Sequence, residues 1–339
     1  MVDGNVRGVN RLGVLIPSMG GGGAERVVLS LLKGFVSRGV EVDLLLVRDE
    51  GPLLGEVPEA VRVVPLRGGR IAASLPSLVS YLRRQRPDAL LSHLDSMNVV
   101  ALLACRLSGH RPRTVVTTHI ALSRHAAGGS LRQRLTRRII PHVYPWADAV
   151  VGVSKGVTAE LERLVDPGRT RLVTVYNPVV PDDVASASEE ESVVPAGFRR
   201  MLLSVGRLTR QKNQALLVDA AAGILEANPD MCLLILGEGP ERPRLEERIA
   251  RHGLDERIVL AGFVPDPTPY YRQASLFVLS SDWEGLPTVL IEALSHGCPV
   301  VSTRCPSGPE EILEAGRFGR LVEPGDPGEL AEAITAEIE

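Results

Sequence analysis

Two doubly wound α/β domains are what this sequence predicts, and three observations predict them. Its 339 residues exceed what one hydrophobic core usually serves. Short apolar runs alternate with amphipathic stretches of about 10–15 residues, the rhythm of βαβ units and a parallel sheet. That rhythm breaks once, between Pro178 and Gly197, where Pro181, Pro195 and Glu189-Glu190-Glu191 stand in place of large apolar side chains. The expected division is an N-terminal domain over 1–178, a solvated linker over 179–198 and a C-terminal domain over 199–339.

In the first half, strands are expected over 12–18, 41–48, 61–67, 88–94, 114–120, 148–154 and 171–177. Runs such as Leu44-Leu45-Leu46-Val47 are apolar on both faces, as a sheet covered by helices on both sides requires. After the linker, strands are expected over 200–206, 231–237, 258–263, 275–281, 299–303 and 320–322. Helices are expected over 213–228, 242–252 and 287–295, and a last one over 327–338. Ligands of such sheets sit beyond the carboxyl ends of the strands, so both domains are expected to present loops to a shared cleft.

Composition narrows the function classes. The chain is 44% hydrophobic and 23% charged, ordinary for a soluble enzyme. A net charge of −3 gives no field that would gather nucleic acid. Cys105, Cys232, Cys298 and Cys305 have no C-x-x-C spacing and lie in or beside apolar segments, the pattern of small buried thiols in a reduced compartment rather than of metal ligands. No apolar run reaches membrane-span length and the N-terminus lacks a signal-peptide core, which points to the cytoplasm. Lys33, Lys155 and Lys212 are the only lysines among 38 Lys and Arg residues.

Three constellations carry the chemistry. Directly after the first expected strand comes Ser18-Met19-Gly20-Gly21-Gly22-Gly23-Ala24-Glu25-Arg26. Its glycines permit a tight backbone and open amides at a helix N-terminus, with Gly22 and Gly23 at the point of approach. It is not a dinucleotide fingerprint, because Glu25 and Arg26 stand where the third glycine belongs. The second constellation is Gly206-Arg207-Leu208-Thr209-Arg210-Gln211-Lys212-Asn213, ahead of a helix that Asn213 caps. Arg207 and Lys212 beside that helix form a clamp for a diphosphate and can stabilise its departure.

The third, most informative constellation is Asp282-Trp283-Glu284-Gly285-Leu286-Pro287-Thr288-Val289-Leu290-Ile291-Glu292-Ala293-Leu294. Pro287 suits the first helical position. Glu284 is then expected in the loop above the helix, facing the cleft. Amides around Gly285, Leu286, Thr288 and Val289 are free to meet a diphosphate. Glu292 falls about 7.5 Å farther along the axis, where a carboxylate can accept bonds from vicinal ribose hydroxyls. Alone, Glu284 reads equally as an exposed loop acid and Glu292 as a helix surface position.

Glu284-Gly285-Leu286-Pro287 with Glu292 eight residues on resembles the E-x7-E motif of glycosyltransferase family 4. Gly206-Arg207-Leu208 with Gln211-Lys212-Asn213 is similar to that family's cation loop. The Gly20 to Glu25 turn, Gly237-Glu238-Gly239, Gly262-Phe263-Val264 and Cys305-Pro306-Ser307-Gly308-Pro309-Glu310-Glu311-Ile312 also match in order and spacing. The resemblance spans nearly the whole chain. It implies the GT-B fold of two Rossmann-like domains across a cleft, a nucleotide-sugar donor, retention of anomeric configuration and no required metal or other cofactor. In keeping with that, no D-x-D loop follows a strand; Asp182-Asp183 falls in the linker.

Carried over, the resemblance gives Arg207 and Lys212 the donor diphosphate, Glu284 the sugar hydroxyls and Glu292 the ribose, with amides at Leu286, Thr288 and Val289 assisting. Val264 would meet the base through its backbone, beside Gly237. His119, at the end of 114–120, matches a histidine near the transferred sugar; taken alone, a strand-end histidine is as often structural. Family habit and the 305–312 segment favour UDP. Family members usually continue into a helix that crosses back to the first domain, so a chain ending at Glu339 is expected to lack that brace. Two rivals share the fold: a nucleotide-sugar epimerase, and a non-catalytic partner subunit, against which the intact Arg207, Lys212, Glu284 and Glu292 set speaks. A phosphorylase is disfavoured because no lysine suits a pyridoxal phosphate pocket.

The acceptor is expected at a membrane. Segment 130–146 carries Leu131, Leu135, Ile139 and Val143 at helical spacing, flanked by Arg132, Arg134, Arg137 and Arg138, with Tyr144 and Trp146 at its end. Such a helix can lie in an anionic bilayer interface near a lipid-linked glycan, and the preceding 124–129 loop could admit the acceptor. The same stripe would equally pack the helix on its own sheet. The partners expected are therefore a nucleotide sugar, a glycan or lipid-linked acceptor and an anionic membrane surface, with the enzyme peripheral at the inner face of the plasma membrane.

Overall fold

The computed structural model describes residues 8–120, 131–179 and 191–339, with the side chains of the helix beginning at Leu131 described from Arg134 onward. The chain divides into two compact units, Met1–Pro178 and Val179–Glu339.

The first unit is built on β1 (Arg11–Ile16), β2 (Glu41–Leu46), β3 (Arg62–Pro65), β4 (Ala89–His93), β5 (Arg113–Thr118), β6 (Ala149–Gly152) and β7 (Leu172–Thr174). All pair in parallel, in the order β3-β2-β1-β4-β5-β6-β7. Between them run α1 (Gly23–Val36), α2 (Leu75–Gln85), α3 (Asp95–Ser108), α4 (Leu131–Val143) and α5 (Lys155–Leu164). Leu44 and Leu46 join Val14 and Ile16 in a core closed by Val28 and Leu32 of α1. Leu45 turns the other way, with Leu15 and Leu90, onto Leu82 of α2 and Met97 of α3. Successive strand side chains alternate faces, so the unbroken apolar run follows from having helices on both sides.

The second unit repeats the plan. Its strands are β8 (Arg200–Val205), β9 (Met231–Leu236), β10 (Ile258–Gly262), β11 (Leu276–Leu279), β12 (Val300–Thr303) and β13 (Arg320–Val322), ordered β10-β9-β8-β11-β12-β13 and again parallel. Its helices are α6 (Gln214–Ala227), α7 (Arg242–His252), α8 (Thr268–Gln273), α9 (Thr288–Ser295), α10 (Pro309–Ile312) and α11 (Pro327–Ile338). Leu202, Leu233 and Val278 pack under α6 and α11, and Leu203, Leu234 and Phe277 pack under α8 and α9. In both sheets the strand order reverses beside the first strand, between β1 and β4 and between β8 and β11. Those are the switch points where loops diverge and leave room for a ligand.

Three expectations need correcting. The later part of the expected linker is not solvated: Val193, Val194 and Phe198 pack on the second core. The Val193 amide donates to Gln273 Oε1 at 2.9 Å, and Gln273 donates back to the Glu191 carbonyl at 3.1 Å. Residues 180–190, including Pro181, Asp182-Asp183 and Glu189-Glu190, lie outside the described residues, as does the 124–129 loop. Pro287 is the N-cap of α9 rather than its first residue. In α4 the expected stripe is not one face, because Leu135 is 57% exposed while Val143 is buried. Ile140 and Val143 pack inward, as does Tyr144 just past the helix.

Candidate functional site

At the switch point of the second sheet two loops are laced together. The loop after β8 runs from Gly206 to Asn213, where Asn213 takes a left-handed conformation (φ 44°) and accepts the Leu216 amide, capping α6. The loop after β11 runs from Ser280 to Pro287. The Asp282 amide donates to the Gln211 carbonyl at 2.9 Å and Ser280 Oγ to the Lys212 carbonyl at 3.0 Å. Asn213 Nδ2 reaches Asp282 Oδ1 at 2.8 Å, and Gln211 Nε2 the Trp283 carbonyl at 2.9 Å. The two motifs picked out in the sequence are thus one structural piece.

At its centre is an ion pair. Lys212 Nζ lies 2.7 Å from Glu284 Oε1, which also accepts from Ser281 Oγ at 2.6 Å, and Glu284 Oε2 accepts from Gln211 Nε2 at 3.4 Å. Glu284 is 5% exposed. It is therefore neither the exposed loop acid nor the open carboxylate its position in the motif suggested; it is turned in under the cation loop. Arg207 is the converse: exposed, with no ion-pair partner among the described residues. Arg207 is thus open to a second anion, as is the exposed Arg210 of the same loop, while Lys212 is paired with Glu284.

Glycines allow the surrounding backbones to approach. A Cβ on Gly237 (φ 140°) would stand 2.0 Å from the Gly206 carbonyl oxygen. A Cβ on Gly308 (φ 92°) would stand 2.4 Å from Pro287 Cδ. Gly237 in turn donates to the Gly262 carbonyl at 2.7 Å, which brings the turn ahead of the half-buried Val264 beside the Gly206 loop. Buried Gly285 and Leu286 lead to α9, whose first turn, Thr288 and Val289, has no side-chain cap on it. These uncapped helical amides begin four residues after Glu284 in the chain. Glu292, in the second turn of α9, accepts from Tyr271 Oη at 2.9 Å; the Tyr271 ring stacks on His296 with centroids 6.0 Å apart. Cys305 is buried beside this cluster, and burial, with the Glu284 charge, pushes its thiol up to about 12.

In the first unit, Gly22 caps α1 with extended backbone, and a Cβ there would meet Glu25 Oε2 at 2.6 Å. The chain's own carboxylate thus lies over the first turn of α1, so a neutral hydroxyl suits Gly22 and Gly23 better than a second anion does. His119 stands just past β5. Below it Thr118 and Tyr144 both donate to Asp95 Oδ1 at 2.9 Å, and Asn98 donates to Tyr144 Oη and to the Thr117 carbonyl, each at 3.0 Å. Sequence reasoning missed this network and missed His93, whose Nδ1 is 2.9 Å from His119 Nε2. Burial pulls His119 down to about 4 and His93 well below the usual histidine range. The signal available in the sequence was a histidine next to last in each of two consecutive expected strands, 88–94 and 114–120.

Arg134 and Arg138 are exposed along α4 and Arg137 is half-buried; the Arg132 side chain lies outside the described residues. Nearby on α3, Arg106 stacks over the Trp146 ring at 4.5 Å, and Leu107 is 56% exposed.

Known proteins resemble the chain throughout. The family described as Glycosyltransferase Family 4 matches residues 21–183, and that described as Glycosyl transferases group 1 matches residues 199–339. A Campylobacter jejuni N-acetylgalactosamine-N,N'-diacetylbacillosaminyl-diphospho-undecaprenol 4-alpha-N-acetylgalactosaminyltransferase is 30% identical over 98% of this chain and 91% of its own length. The Erwinia amylovora amylovoran biosynthesis glycosyltransferase AmsD is 26% identical, covering 86% of this chain and 80% of its own. Among solved structures, Anabaena HepE in complex with UDP and glucose superposes with a TM-score of 0.80 at 22% identity, covering 97% of this chain and 90% of that one.

Proposed function

This chain belongs to the group 1, family 4 glycosyltransferases, enzymes of the GT-B fold, and on that premise we propose that it moves a hexose or N-acetylhexosamine from a UDP-sugar to a lipid-linked or polysaccharide precursor of the cell envelope, with retention at the anomeric carbon. The observation that carries the donor half is the laced pair of loops at the second switch point. There Arg207 is an uncompensated cation, Lys212 is paired with Glu284, and α9 begins without a side-chain cap four residues after Glu284. Such a place suits a diphosphate and stabilises it as it leaves. Glu292, oriented by Tyr271, takes the ribose hydroxyls. Backbone at Gly237 and Val264 takes the base. Relatives that act on a diphospho-undecaprenol-linked glycan and in amylovoran synthesis support the acceptor class, and a neighbour that holds UDP and glucose supports the donor.

The chemistry follows from what the site offers. The Glu284 carboxylate is held by Lys212, Ser281 and Gln211, so it is poor as a nucleophile and good as a fixed negative charge. It stabilises positive charge developing at the anomeric carbon, while Arg207, Lys212 and the α9 amides receive the leaving diphosphate. The departing oxygen takes the acceptor's proton on the same face of the sugar, which gives retention without a covalent sugar on the protein. His119 contacts the transferred sugar as a neutral group. No metal is needed, because those cations and amides do its work; turnover is expected to persist in excess chelator, and dependence on added manganese or magnesium would overturn that account.

The acceptor half rests on the exposed Arg134, Leu135 and Arg138 of α4 with Leu107 and Trp146, a basic and apolar surface suited to an anionic membrane at the cytoplasmic face. Among the described residues no helix is long and apolar enough to cross a bilayer. The deciding experiment incubates the protein with a panel of UDP-, GDP- and ADP-sugars and polyprenyl-diphosphate glycans. Transfer with an α-linked product from an α-linked donor is the expected result. Epimerised donor, or binding without turnover, would put an epimerase or a non-catalytic subunit in its place.

A further inference from the structure

Strands β4 and β5 lie side by side, with His93 opposite Thr117 in the register. His93 closes β4, and His119 stands one residue beyond β5. His93 is 1% exposed. Its Nδ1 lies 2.9 Å from His119 Nε2, the two rings tilted by 40° with centroids 5.2 Å apart. The contact is not a loose one. Leu94, the next residue, takes φ 73° and donates its amide to the Thr117 carbonyl, so the chain turns sharply and holds His93 against the end of β5. On the far side of the ring, His93 Nε2 is buried without a hydrogen-bond partner among the described residues.

Two ring nitrogens at that distance share one proton, and burial keeps both rings neutral, with His119 lowering His93 further. That leaves two arrangements. Either His93 donates from Nδ1 and strands a lone pair at Nε2, or His119 donates and His93 strands an N–H. Unpaired buried N–H groups are rarer than unpaired acceptors, which selects the first. His119 Nε2 is then the acceptor, and the His119 proton resides on Nδ1, a nitrogen with no hydrogen bond to any described residue.

We propose that His93 is a positioning residue for His119, fixing its ring and its tautomer so that Nδ1–H is presented as a neutral hydrogen-bond donor to an oxygen of the transferred sugar. The second nitrogen of an imidazole is what sets the role of the first, and here the partner that sets it is another imidazole. This inference rests on the reading that His119 contacts the sugar. It assigns His119 no proton transfer: the group orients the sugar and leaves the proton with the departing diphosphate.

Nitrogen-15 spectra of histidine-labelled protein give the tautomer directly, without a substrate. His119 is expected as the Nδ1–H form, its resonances assigned through His119→Asn; a dominant Nε2–H form in the wild type would overturn the proposal. Kinetics with the UDP-sugar and acceptor identified by the panel supply the second arm. An Asn at position 93 places an amide nitrogen where imidazole Nδ1 was, whereas Gln places its amide beyond it. His93→Asn should keep kcat within about threefold, and His93→Gln should lower kcat at least tenfold with the UDP dissociation constant unchanged. Equal activity of the two folded variants would sink the inference. His119→Ala separates the layers. If it leaves kcat intact, the contact of His119 with sugar is wrong; if it lowers kcat while His93→Gln does not, only the role of His93 is wrong.

Discussion

Lys212 and Arg207 share one loop and are held in opposite ways, which separates the consequences of removing them. Lys212 is locked to a buried carboxylate with 17% and 7% of the two side chains exposed. Deleting one partner of such a pair leaves the other charge unpaired, at a cost of roughly 3–5 kcal/mol. Lys212→Ala should therefore lower Tm as well as donor affinity, and adding Glu284→Gln should restore most of the Tm without restoring turnover. Arg207→Ala should leave Tm within a degree or two and weaken UDP binding by about ten- to a hundredfold, the worth of a charge-assisted bond of roughly 1.5–3 kcal/mol. Calorimetry and melting curves on the four proteins check both statements; coincident melts for Lys212→Ala and wild type would contradict the buried pair. His119 makes a prediction of the other kind. Its folded pKa of about 4 lies below the ordinary 6.5, so the unfolded chain binds the proton first. The stability that goes with the neutral ring is complete above pH 6.5 and is lost as pH falls toward 4. Compared with wild type, His119→Asn should show a flatter fall of Tm across that window; parallel curves would refute the assigned shift.

At the scale of elements, the loops matter through their mutual contact. Gly308 precedes α10 in a left-handed conformation and packs against the Gly285 to Pro287 turn that feeds α9. Gly308→Ala combines backbone strain with a clash against a proline ring, so it should cost about 1–3 kcal/mol or more and displace the α9 amides. UDP affinity should fall although residue 308 is assigned no contact with the ligand, and unchanged affinity in a folded variant would show the two loops to be independent. Much at this scale was legible beforehand. The strand runs, the helices after β8 and β9 and the order of the motifs follow from apolar periodicity and from glycine and proline placement. Contacts between distant residues were not. Lys212 and Glu284 are 72 positions apart, and nothing local declares that they pair rather than each face a ligand. His93 sits in an apolar run, where a histidine reads as a satisfied core residue. In α4 the failure was geometric. Residues taken at every fourth position drift by about 40° per step on a helix of 3.6 residues per turn, so Leu131 and Val143 differ by roughly 120°. Leu135 falls outside the packed face for that reason, and Val143 falls within it.

At the scale of the molecule, the same order of six strands is used twice, with β7 added in the first unit, yet the two units carry different surfaces. The proposed donor site lies on the second, and the first bears exposed apolar and cationic side chains on α3, α4 and the turn after α4. Leu107, Leu135 and Trp146 are exposed by 56%, 57% and 38%; Arg106, which stacks on Trp146, and Arg134 and Arg138 of α4 are exposed as well. Single exposed apolar residues need no explanation; exposed apolar and arginine side chains on two helices that pack together are what the proposed membrane contact would use, with rings at head-group depth and guanidinium groups on phosphate. Each arginine near an anionic surface contributes about 1 kcal/mol, and the attraction decays over a Debye length of about 8 Å at physiological salt. Reversing two of them should therefore reduce partitioning onto vesicles containing phosphatidylglycerol by more than a hundredfold. Arg134→Glu with Arg138→Glu should leave the protein in the supernatant, and Trp146→Ala should weaken binding at all salt concentrations because its contribution is apolar. Wild-type binding should fall as salt rises. Transfer to a short soluble acceptor analogue should survive in the reversed variant, while transfer to an acceptor embedded in vesicles should not. Equal partitioning of the wild type and the double charge reversal would remove this surface from the account of the acceptor and leave the donor site as it stands.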